Sequence, residues 1–271
     1  MHICCYSGGH SSALVAIEVV RRFGKENVIL LNHDIAPISE SADIKRFKAE
    51  VAAYLNIPIT FCNMDGWETK DQFDVVIEAG AFKVGNGTAL CTNRMKTRPF
   101  EDWLAINATP EDVIYYGFDP TEKSRIQRRS SHLAGMGFRT DYPLAFWGQR
   151  TIFSTDEIGI ARPNTYELFK HGNCVGCLKA GRQHWYVVYC TRQDRWEKAK
   201  FAEEEIGYTI IKGISLEDLE PMFDRMKQLG IEPTEHIQAA TFWARVKKLL
   251  KVDPNMELFE EEDTKPCECA V

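Results

Sequence analysis

The chain has 271 residues and a formal net charge of −6, which is enough for one large α/β domain or for a domain and a half with a well-filled core. The sequence contains no run of about eighteen apolar residues and no basic-then-apolar leader at its N-terminus, so we expect a soluble cytoplasmic protein and no membrane contact. The modest negative charge argues against unspecific binding to nucleic acid, although it is compatible with a local basic groove.

The most informative segment lies directly behind a short apolar run at the N-terminus. We predict a strand over His2–Tyr6, a tight turn at Gly8 and Gly9, and a helix that begins near Ser12. The two glycines let backbone N–H groups approach an anion closely, and the helix N-terminus adds a partial positive charge. The spacing matches neither the P-loop nor the dinucleotide-binding motif. On these residues alone, a phosphate-binding loop and a plain Gly-Gly turn with a serine N-cap are equally compatible with the pattern.

Apolar strand-like runs then alternate with helical patterns. We predict strands over Val28–Asn32, Ile57–Cys62 and Val113–Gly117, and a helix over Ser39–Leu55. Alternation of this kind predicts right-handed crossovers and a three-layer α/β fold, with a mostly parallel twisted sheet flanked by helices. In such sheets ligands bind at the carboxyl ends of the strands. That edge is where Ser7–Ser12, His33-Asp34 and Phe118-Asp119 fall.

The sequence changes character after about residue 140, where tryptophan, proline and glycine become frequent. Helices are predicted over Asp194–Ile206, Leu216–Leu229 and Thr234–Leu250. The cations near the end of the last helix favour a solvated helix terminus over a nucleic-acid site. We therefore predict a helical extension at 191–256 and a flexible acidic tail at 257–271 that ends in Cys-x-Cys.

Nine cysteines in a chain without an export signal argue against a disulfide framework. Four of them stand in apolar or strand-like surroundings and are interpreted as small buried hydrophobic residues: Cys4, Cys5, Cys62 and Cys190. The other five lie beside glycine, proline or polar residues, where metal or redox chemistry is an option: Cys91, Cys174, Cys177, Cys267 and Cys269.

Taken in order, the motifs resemble those of one family. Ser7–Ser12 is similar to a Ser-Gly-Gly-x-Asp-Ser loop, with Ser11 in place of the aspartate that ATP-using members carry. Cys91–Pro99 resembles a Cys-then-Lys-then-Pro segment. Gly117–Arg125 resembles a Gly-hydrophobic-Arg-x-x-Glu-Ser-x-x-Arg segment, with Asp119 in place of the arginine. The series continues with Tyr142–Leu144, Trp147, Asn164–Tyr166 and the Cys-x-x-Cys of Gly172–Cys177. Over about residues 1–190 the chain thus resembles the phosphoadenosine phosphosulfate reductase family, within the superfamily of PP-loop adenine nucleotide alpha hydrolases.

This resemblance implies a nucleotide-binding domain at residues 1–190. It also implies an adenine nucleotide as ligand, either ATP or a nucleotide of the adenylyl sulfate type, with Mg²⁺ as a candidate companion. The expected nucleotide-binding residues are Ser7, Gly8, Gly9, His10, Ser11, Ser12, Asp34, Gly117, Glu122, Arg128 and Arg129. Lys96 and Arg125 are the candidate catalytic cations, because arginine and lysine side chains match phosphate and sulfate oxygens. The basic run from Lys123 to Arg129 is also compatible with a charged, solvated helix face.

Iron–sulfur members of the family hold a four-iron cluster with cysteines near the Lys-Pro segment and in the later Cys-x-x-Cys. For this chain the resemblance implies Cys91, Cys174 and Cys177 as ligands, with one iron left open or with Cys267 or Cys269 as the fourth ligand. We favour the 4Fe–4S cluster. Zinc also accepts such thiolates, and a site without any metal is the third alternative.

Three functions follow from the resemblance. In the favoured one, ATP adenylates an acceptor, pyrophosphate leaves, and sulfur from a donor displaces AMP; tRNA and DNA are candidate acceptors. In the second, the thiolate of Cys269, in the C-terminal Glu268-Cys269, attacks the sulfur of a bound sulfonucleotide, and a thioredoxin-like reductant releases sulfite. The alternative role for Cys269 is a tail thiol or metal ligand. The third function is a catalytically silent nucleotide- or metal-binding module. A homodimer is a candidate assembly.

Overall fold

A computed structural model describes residues 1–85, 87–172 and 174–250. The strands are β1 (His2–Cys5), β2 (Val28–Asn32), β3 (Ile59–Phe61), β4 (Val113–Tyr115) and β5 (Arg139–Asp141). The α-helices are α1 (His10–Phe23), α2 (Ala42–Leu55), α3 (Gln72–Ala79), α4 (Leu90–Thr92), α5 (Arg98–Asn107), α6 (Lys123–Gly135), α7 (Pro143–Phe146), α8 (Arg182–Thr191), α9 (Gln193–Ile206), α10 (Leu216–Gln228) and α11 (Ala239–Leu250). Single 3-10 turns occur at Lys25–Asn27, Thr155–Ile158 and Asn164–Glu167, and a π-helical turn at Asn93–Thr97. Within the described ranges, no helix combines the length and the apolar character that crossing a membrane requires.

The five strands form one all-parallel sheet with the order β3-β2-β1-β4-β5. This confirms the predicted three-layer α/β fold with a parallel sheet flanked by helices. The strand order reverses at β1, because the chain goes from β1 through α1 to β2 on one side and from β4 through α6 to β5 on the other. The connections that leave β1 and β4 therefore diverge, and this is the place where open parallel sheets bind ligands.

Successive residues of β1 point to opposite faces of the sheet, as the two-residue period of a strand requires. Cys4 and Tyr6 pack with α1 and α2, in an apolar cluster that includes Val15 and Phe47. Ile3 and Cys5 pack on the other face, in a cluster that lies against α5 and α6. Both faces are apolar, which explains why the strands read as continuous hydrophobic runs. Cys4, Cys5 and Cys62 are buried thiols as predicted, and Cys190 is half-buried.

By its contacts the described chain divides into two compact units. The first consists of residues 1–69 and 92–163 and contains the whole sheet with α1, α2 and α5 to α7. The second consists of residues 70–91 and 164–250 and contains α3 and α8 to α11. Residues 70–91 and 164–190 thus pack with the C-terminal helices. The predicted domain bounds at 190 and 256 stay a prediction, and the acidic tail at 257–271 lies outside the described residues.

The second unit is organised round α8, a helix that the sequence analysis did not predict. Trp185, Tyr186, Val187 and Val188 on this helix are fully buried. The predicted helices at 194–206 and 216–229 are present as α9 and α10, within one residue at each end. The prediction that the last helix begins at Thr234 is wrong.

That helix begins at Ala239, because the preceding backbone groups are used elsewhere. The Gln183 side chain donates hydrogen bonds to the carbonyl oxygens of Thr234 and Ile237 at 2.7 and 3.0 Å. The backbone N–H of Glu235 donates to the carbonyl oxygen of Leu168 at 2.9 Å. These tertiary hydrogen bonds replace the first turn that the helical pattern predicts.

Candidate functional site

The glycine loop, residues Ser7–Ser12, connects β1 to α1 at the carboxyl edge of the sheet. Gly8 has a φ angle of 83°, a conformation that favours glycine. Helix α1 begins at His10, and its N-cap is Gly9, without any capping side chain and without an acidic residue in the first turn. The predicted serine N-cap is therefore not what the chain uses. The Ser12 hydroxyl instead donates to the Gly9 carbonyl at 2.8 Å, and the Ser7 hydroxyl donates to the Ser12 Oγ at 3.3 Å.

The connection that leaves β4 lies directly against the glycine loop. A Cβ atom on Gly117 would come within 2.9 Å of the Ser11 carbonyl carbon and within 2.9 Å of the Ser12 nitrogen. Folded proteins avoid such separations, so only glycine fits here. The structure thus brings together Gly117, Ser11 and Ser12, as the resemblance implied. Next to them the buried Phe118 ring stacks on Tyr116 and Tyr142 at centroid distances of 5.4 and 5.9 Å.

The charges of three cations act on His33, which follows β2 at the same edge of the sheet. The His33 Nδ1–H donates to the Cys62 carbonyl at 2.6 Å. Burial lowers the pKa of His33 to about 3, the hydrogen bond to Cys62 opposes this, and the charges of Lys96, Arg129 and Lys48 lower the pKa further. His33 is therefore neutral at physiological pH. Lys96 belongs to the π-helical turn before α5 and is buried.

Three arginines of α6, all predicted site residues, differ in their contacts. The Arg125 guanidinium lies 4.3 Å from the centroid of the Phe118 ring and pairs with the Glu122 carboxylate. The Arg129 guanidinium lies 5.4 Å from the Tyr116 centroid, and none of the described carboxylates pairs with it. Arg128 is exposed, and its Nε donates to the carbonyl of its own helix at Ser124. Of these arginines, Arg129 is the one whose charge acts on the sheet edge without a counter-ion in the described part of the chain.

Glu122 and Asp119 are engaged in the turn that begins α6. The Glu122 Oε2 accepts the Asp119 N–H at 3.0 Å, and the Asp119 Oδ1 accepts the Thr121 N–H at 2.7 Å. Glu122 also holds Arg125. Glu122 therefore shapes the turn and orients an arginine in this structure.

His10 is hydrogen-bonded to a segment of the first unit that is distant in the sequence. Its Nε2 accepts the backbone N–H of Thr155 at 3.3 Å. Burial lowers the pKa of His10 to about 4, the charge of Arg162 lowers it further, and Asp156 opposes the shift. A neutral imidazole that accepts a hydrogen bond adds no positive charge to an anion site.

Asp34 lies within a charged network that consists of Asp34, Glu40, Lys45 and Lys48. Lys45 donates to the Asp34 Oδ1, and the Lys48 Nζ lies 3.2 Å from the same atom. Burial raises the pKa of Asp34, but the hydrogen bonds and charges of the two lysines outweigh it and hold that pKa below its usual value. One carboxylate oxygen of Asp34, a predicted nucleotide-binding residue, is thus already engaged by lysines.

In the second unit, the Cys-x-x-Cys turn is held by buried polar side chains. The Gln72 Nε2 donates to the carbonyl oxygens of Val175 and Gly176 at 2.9 and 3.2 Å. The Cys177 N–H donates to the His184 Nε2 at 3.2 Å, and the His184 Nδ1 lies 2.7 Å from the Glu235 Oε1. The turn is therefore fixed before any ligand binds.

The predicted metal ligands do not form a set in the described residues. Over residues 1–85, 87–172 and 174–250, no three His, Cys, Asp or Glu side chains are grouped so that they hold a metal ion. Cys91, Cys174 and Cys177 are each half-buried but do not make such a group. Cys267 and the predicted nucleophile Cys269 lie outside the described residues. The thiols present do not fit a four-iron cluster with three ligands.

Lys48 is the residue at this edge that the sequence analysis missed. It is buried on α2, with Ile44, Phe47, Val51 and Leu55 as neighbours on the same helix face. A lysine on the apolar stripe of an amphipathic helix was the available signal, because such a position buries its side chain.

Comparison of the chain with protein-family models, with curated proteins and with solved structures gives no match. The resemblance to the phosphoadenosine phosphosulfate reductase family therefore depends on the motifs alone.

Proposed function

We propose that the first unit binds an adenine nucleotide where the strand order reverses, and that it transfers the adenylyl group of ATP to an acceptor, which sulfur then attacks. The observation that carries the proposal is the contact of Gly117 with the backbone of Ser11 and Ser12. This contact joins the connections that leave β1 and β4 into one surface. The glycine loop, the segment that contains Gly117 and the N-terminus of α1 then border the same part of the sheet edge.

The glycine loop has the properties of a pyrophosphate site. The N-terminus of α1 has no capping side chain, so no side chain opposes the positive end of its dipole, which favours an anion there. Gly8 and Gly9 carry no side chain that separates a ligand from the backbone. Lys96 and Arg129, whose charges both act on His33 at this edge, supply the balancing positive charge.

The proposed chemistry uses these cations as electrostatic stabilisers. A nucleophilic oxygen of the acceptor attacks the α-phosphorus of ATP, the bond to the β-phosphate oxygen breaks, and pyrophosphate leaves with the electron pair. Negative charge grows on the phosphate oxygens, where arginine and lysine stabilise it best. Arg125 is oriented for such a role by the Glu122 carboxylate and the Phe118 ring. A nucleophilic sulfur then displaces AMP from the adenylated acceptor.

Nucleotide binding and turnover test the proposal directly. Isothermal titration of the full chain with ATP, adenylyl sulfate and GTP is expected to show binding of the adenine nucleotides and not of GTP. Formation of AMP and pyrophosphate from ATP, measured with tRNA or single-stranded DNA as acceptor and a small thiol as sulfur donor, is expected to depend on the acceptor. Absence of adenine nucleotide binding contradicts the site, and binding without turnover with every acceptor contradicts the adenylation.

A sulfonucleotide reductase is the second candidate, and one observation favours it. Ser11 stands exposed in the glycine loop, and the first turn of α1 has no acidic residue, so this loop offers no carboxylate to the Mg²⁺ that accompanies ATP. A sulfonucleotide has no such need. Sulfite release from adenylyl sulfate in the presence of thioredoxin, lost in Cys269→Ser, is the result this candidate requires.

A further inference from the structure

We infer that Lys48 is a positioning residue of the glycine loop, which acts on the loop through its aliphatic stem and, by way of Asn32, through its ammonium group. The inference rests on the proposed function, since it concerns how the nucleotide loop is held. It assigns a role to a side chain that itself touches no ligand.

The ammonium group of Lys48 is buried among oxygen atoms. The Lys48 side chain is 4% exposed, and its Nζ lies 2.8 Å from the Glu40 Oε2, 3.2 Å from the Asp34 Oδ1 and 3.4 Å from the Asn32 Oδ1. A buried charge is costly unless it is paired and hydrogen-bonded. These three acceptors therefore fix the position of the Nζ atom.

The stem of Lys48 forms the floor beneath Gly8. A Cβ atom on Gly8 would lie 2.6 Å from both the Cγ and the Cδ of Lys48, and 3.2 Å from the Cγ2 of Ile44. Since the Nζ end of the side chain is anchored by three acceptors, the stem cannot swing aside as the stem of a surface lysine does. Gly8, with its φ angle of 83°, therefore lies on a fixed surface of α2.

The ammonium group also acts on the loop through Asn32. Because Lys48 donates to the Asn32 Oδ1, the amide oxygen of Asn32 faces Lys48 and its Nδ2 faces the other way. The Nδ2 donates to the carbonyl oxygen of Tyr6, and the Tyr6 N–H donates to the Leu31 carbonyl at 2.7 Å. The Tyr6 hydroxyl in turn donates to the Lys48 carbonyl at 3.1 Å. The peptide that leads into Ser7 is thus oriented by a chain of contacts that begins at Lys48.

Lys45 provides a matched control within the same charged network. Its Nζ also pairs with Asp34 and with Glu40, the latter at 3.4 Å. In the described chain its Nζ donates no hydrogen bond to Asn32, the atoms nearest to Gly8 belong to Lys48 and Ile44, and the Lys45 side chain is 27% exposed. Replacement of either lysine by methionine removes one positive charge from the same two carboxylates, but only Lys48→Met breaks the link to the loop.

The test measures the Kd for ATP by isothermal titration and the Tm by thermal unfolding, both on the full chain. Lys48→Met is expected to raise the Kd about tenfold, which is the equivalent of one lost hydrogen bond in a buried site. Asn32→Asp, which cannot donate to the Tyr6 carbonyl, is expected to raise the Kd by a similar factor. The Kd of the double variant is expected to exceed the higher of the two single-variant Kd values by no more than about twofold, because both substitutions act through one chain of contacts.

Two comparisons separate positioning from general stability. Lys45→Met is expected to leave the Kd within about twofold of the wild type, because it breaks no contact with the loop. Val51→Ala, at a fully buried position of α2, is expected to lower the Tm without a change of Kd. If Lys48→Met unfolds the protein, the double variant Glu40→Gln/Lys48→Met takes its place in the comparison, because it removes the Lys48 charge together with that of its partner Glu40.

Lys48 has no positioning role if its variants raise the Kd no more than Val51→Ala does, or if the effects of Lys48→Met and Asn32→Asp multiply. Failure of the wild-type chain to bind ATP or adenylyl sulfate contradicts the proposed function itself, and with it this inference. The two failures are thus distinguished by the wild-type titration alone.

Discussion

Gly117 lies so close to Ser12 that a Cβ atom on Gly117 would come within 2.9 Å of the Ser12 backbone nitrogen. The atoms in the way are backbone atoms, which move only if the start of α1 moves with them. The close approach of the connections that follow β1 and β4 therefore requires that residue 117 has no side chain.

Gly117→Ala is expected to displace the glycine loop and to raise the Kd for ATP at least tenfold, roughly the cost of one misplaced hydrogen-bonding group. Gly135→Ala is the matched control, because a Cβ on Gly135 meets nothing within 4 Å. Titration of both variants with ATP measures the effect. Equal affinities for the two variants contradict a nucleotide site at this contact.

The two neighbouring arginines of α6 are expected to behave differently. Arg129 acts on His33 and lies over Tyr116, whereas Arg128 is exposed and bonds to its own helix. Arg129→Gln is expected to raise the Kd for ATP about tenfold or more, the loss of one charge-assisted hydrogen bond. Arg128→Gln is expected to change it by less than about threefold, as exposed charges do. A larger effect at Arg128 places the phosphates on the outer face of α6 instead.

His33 makes the stability of the fold depend on pH. The unfolded chain binds a proton at His33 below its ordinary pKa of 6.5, whereas the folded chain does so only near pH 3. The folded state is therefore favoured fully above pH 6.5, and this contribution is lost as the pH falls towards 3. At pH 5 the loss amounts to about 2 kcal/mol.

His33→Asn keeps a donor for the Cys62 carbonyl and removes the titrating ring. Urea unfolding at pH 7.5 and pH 5 is expected to show that the variant loses about 2 kcal/mol less than the wild type between the two pH values. An identical pH dependence in both proteins means that His33 titrates normally in the folded chain.

Gln72 is expected to stabilise the Cys-x-x-Cys turn of the second unit. It is 2% exposed, and its Nε2 serves two carbonyl oxygens of the turn. Gln72→Leu leaves those carbonyls buried without this donor, at a cost of about 1–3 kcal/mol in the free energy of unfolding. Gln193→Leu, at an exposed position of α9, is the control. Urea unfolding measures both, and a Gln72→Leu protein as stable as the control shows that the turn does not need this donor.

The parts of the fold that the sequence predicts correctly are those with local signals. β1, the Gly8–Gly9 turn and α1 follow one another within about twenty residues and carry a strand, turn and helix pattern. The parallel sheet follows from the alternation of such patterns. β5 was missed because Arg139–Asp141 is a short polar edge strand without a hydrophobic run.

The parts that were missed depend on tertiary contacts. Thr234 and Ile237 have helical sequence surroundings, but Gln183 binds their carbonyl oxygens. Lys48 stands on the apolar stripe of its helix, which indicates burial, but its partners Asp34 and Glu40 are brought beside it only by the fold. The grouping of Cys91 with Cys174 and Cys177 came from resemblance, and the described residues do not show it. No sequence pattern indicates which side chains that are distant in the sequence come into contact in the fold.

The pairing of β1 with β4 has a consequence for the synthesis of the chain. His2 pairs with Val28 of β2 and with Val113 of β4, so the first strand to be made waits for its second neighbour, which is more than a hundred residues away. At roughly 5–20 residues per second, translation needs on the order of ten seconds to supply that partner. Until then the glycine loop has no Gly117 against it. On the proposed function, the complete nucleotide site therefore forms only after β4 has joined the sheet.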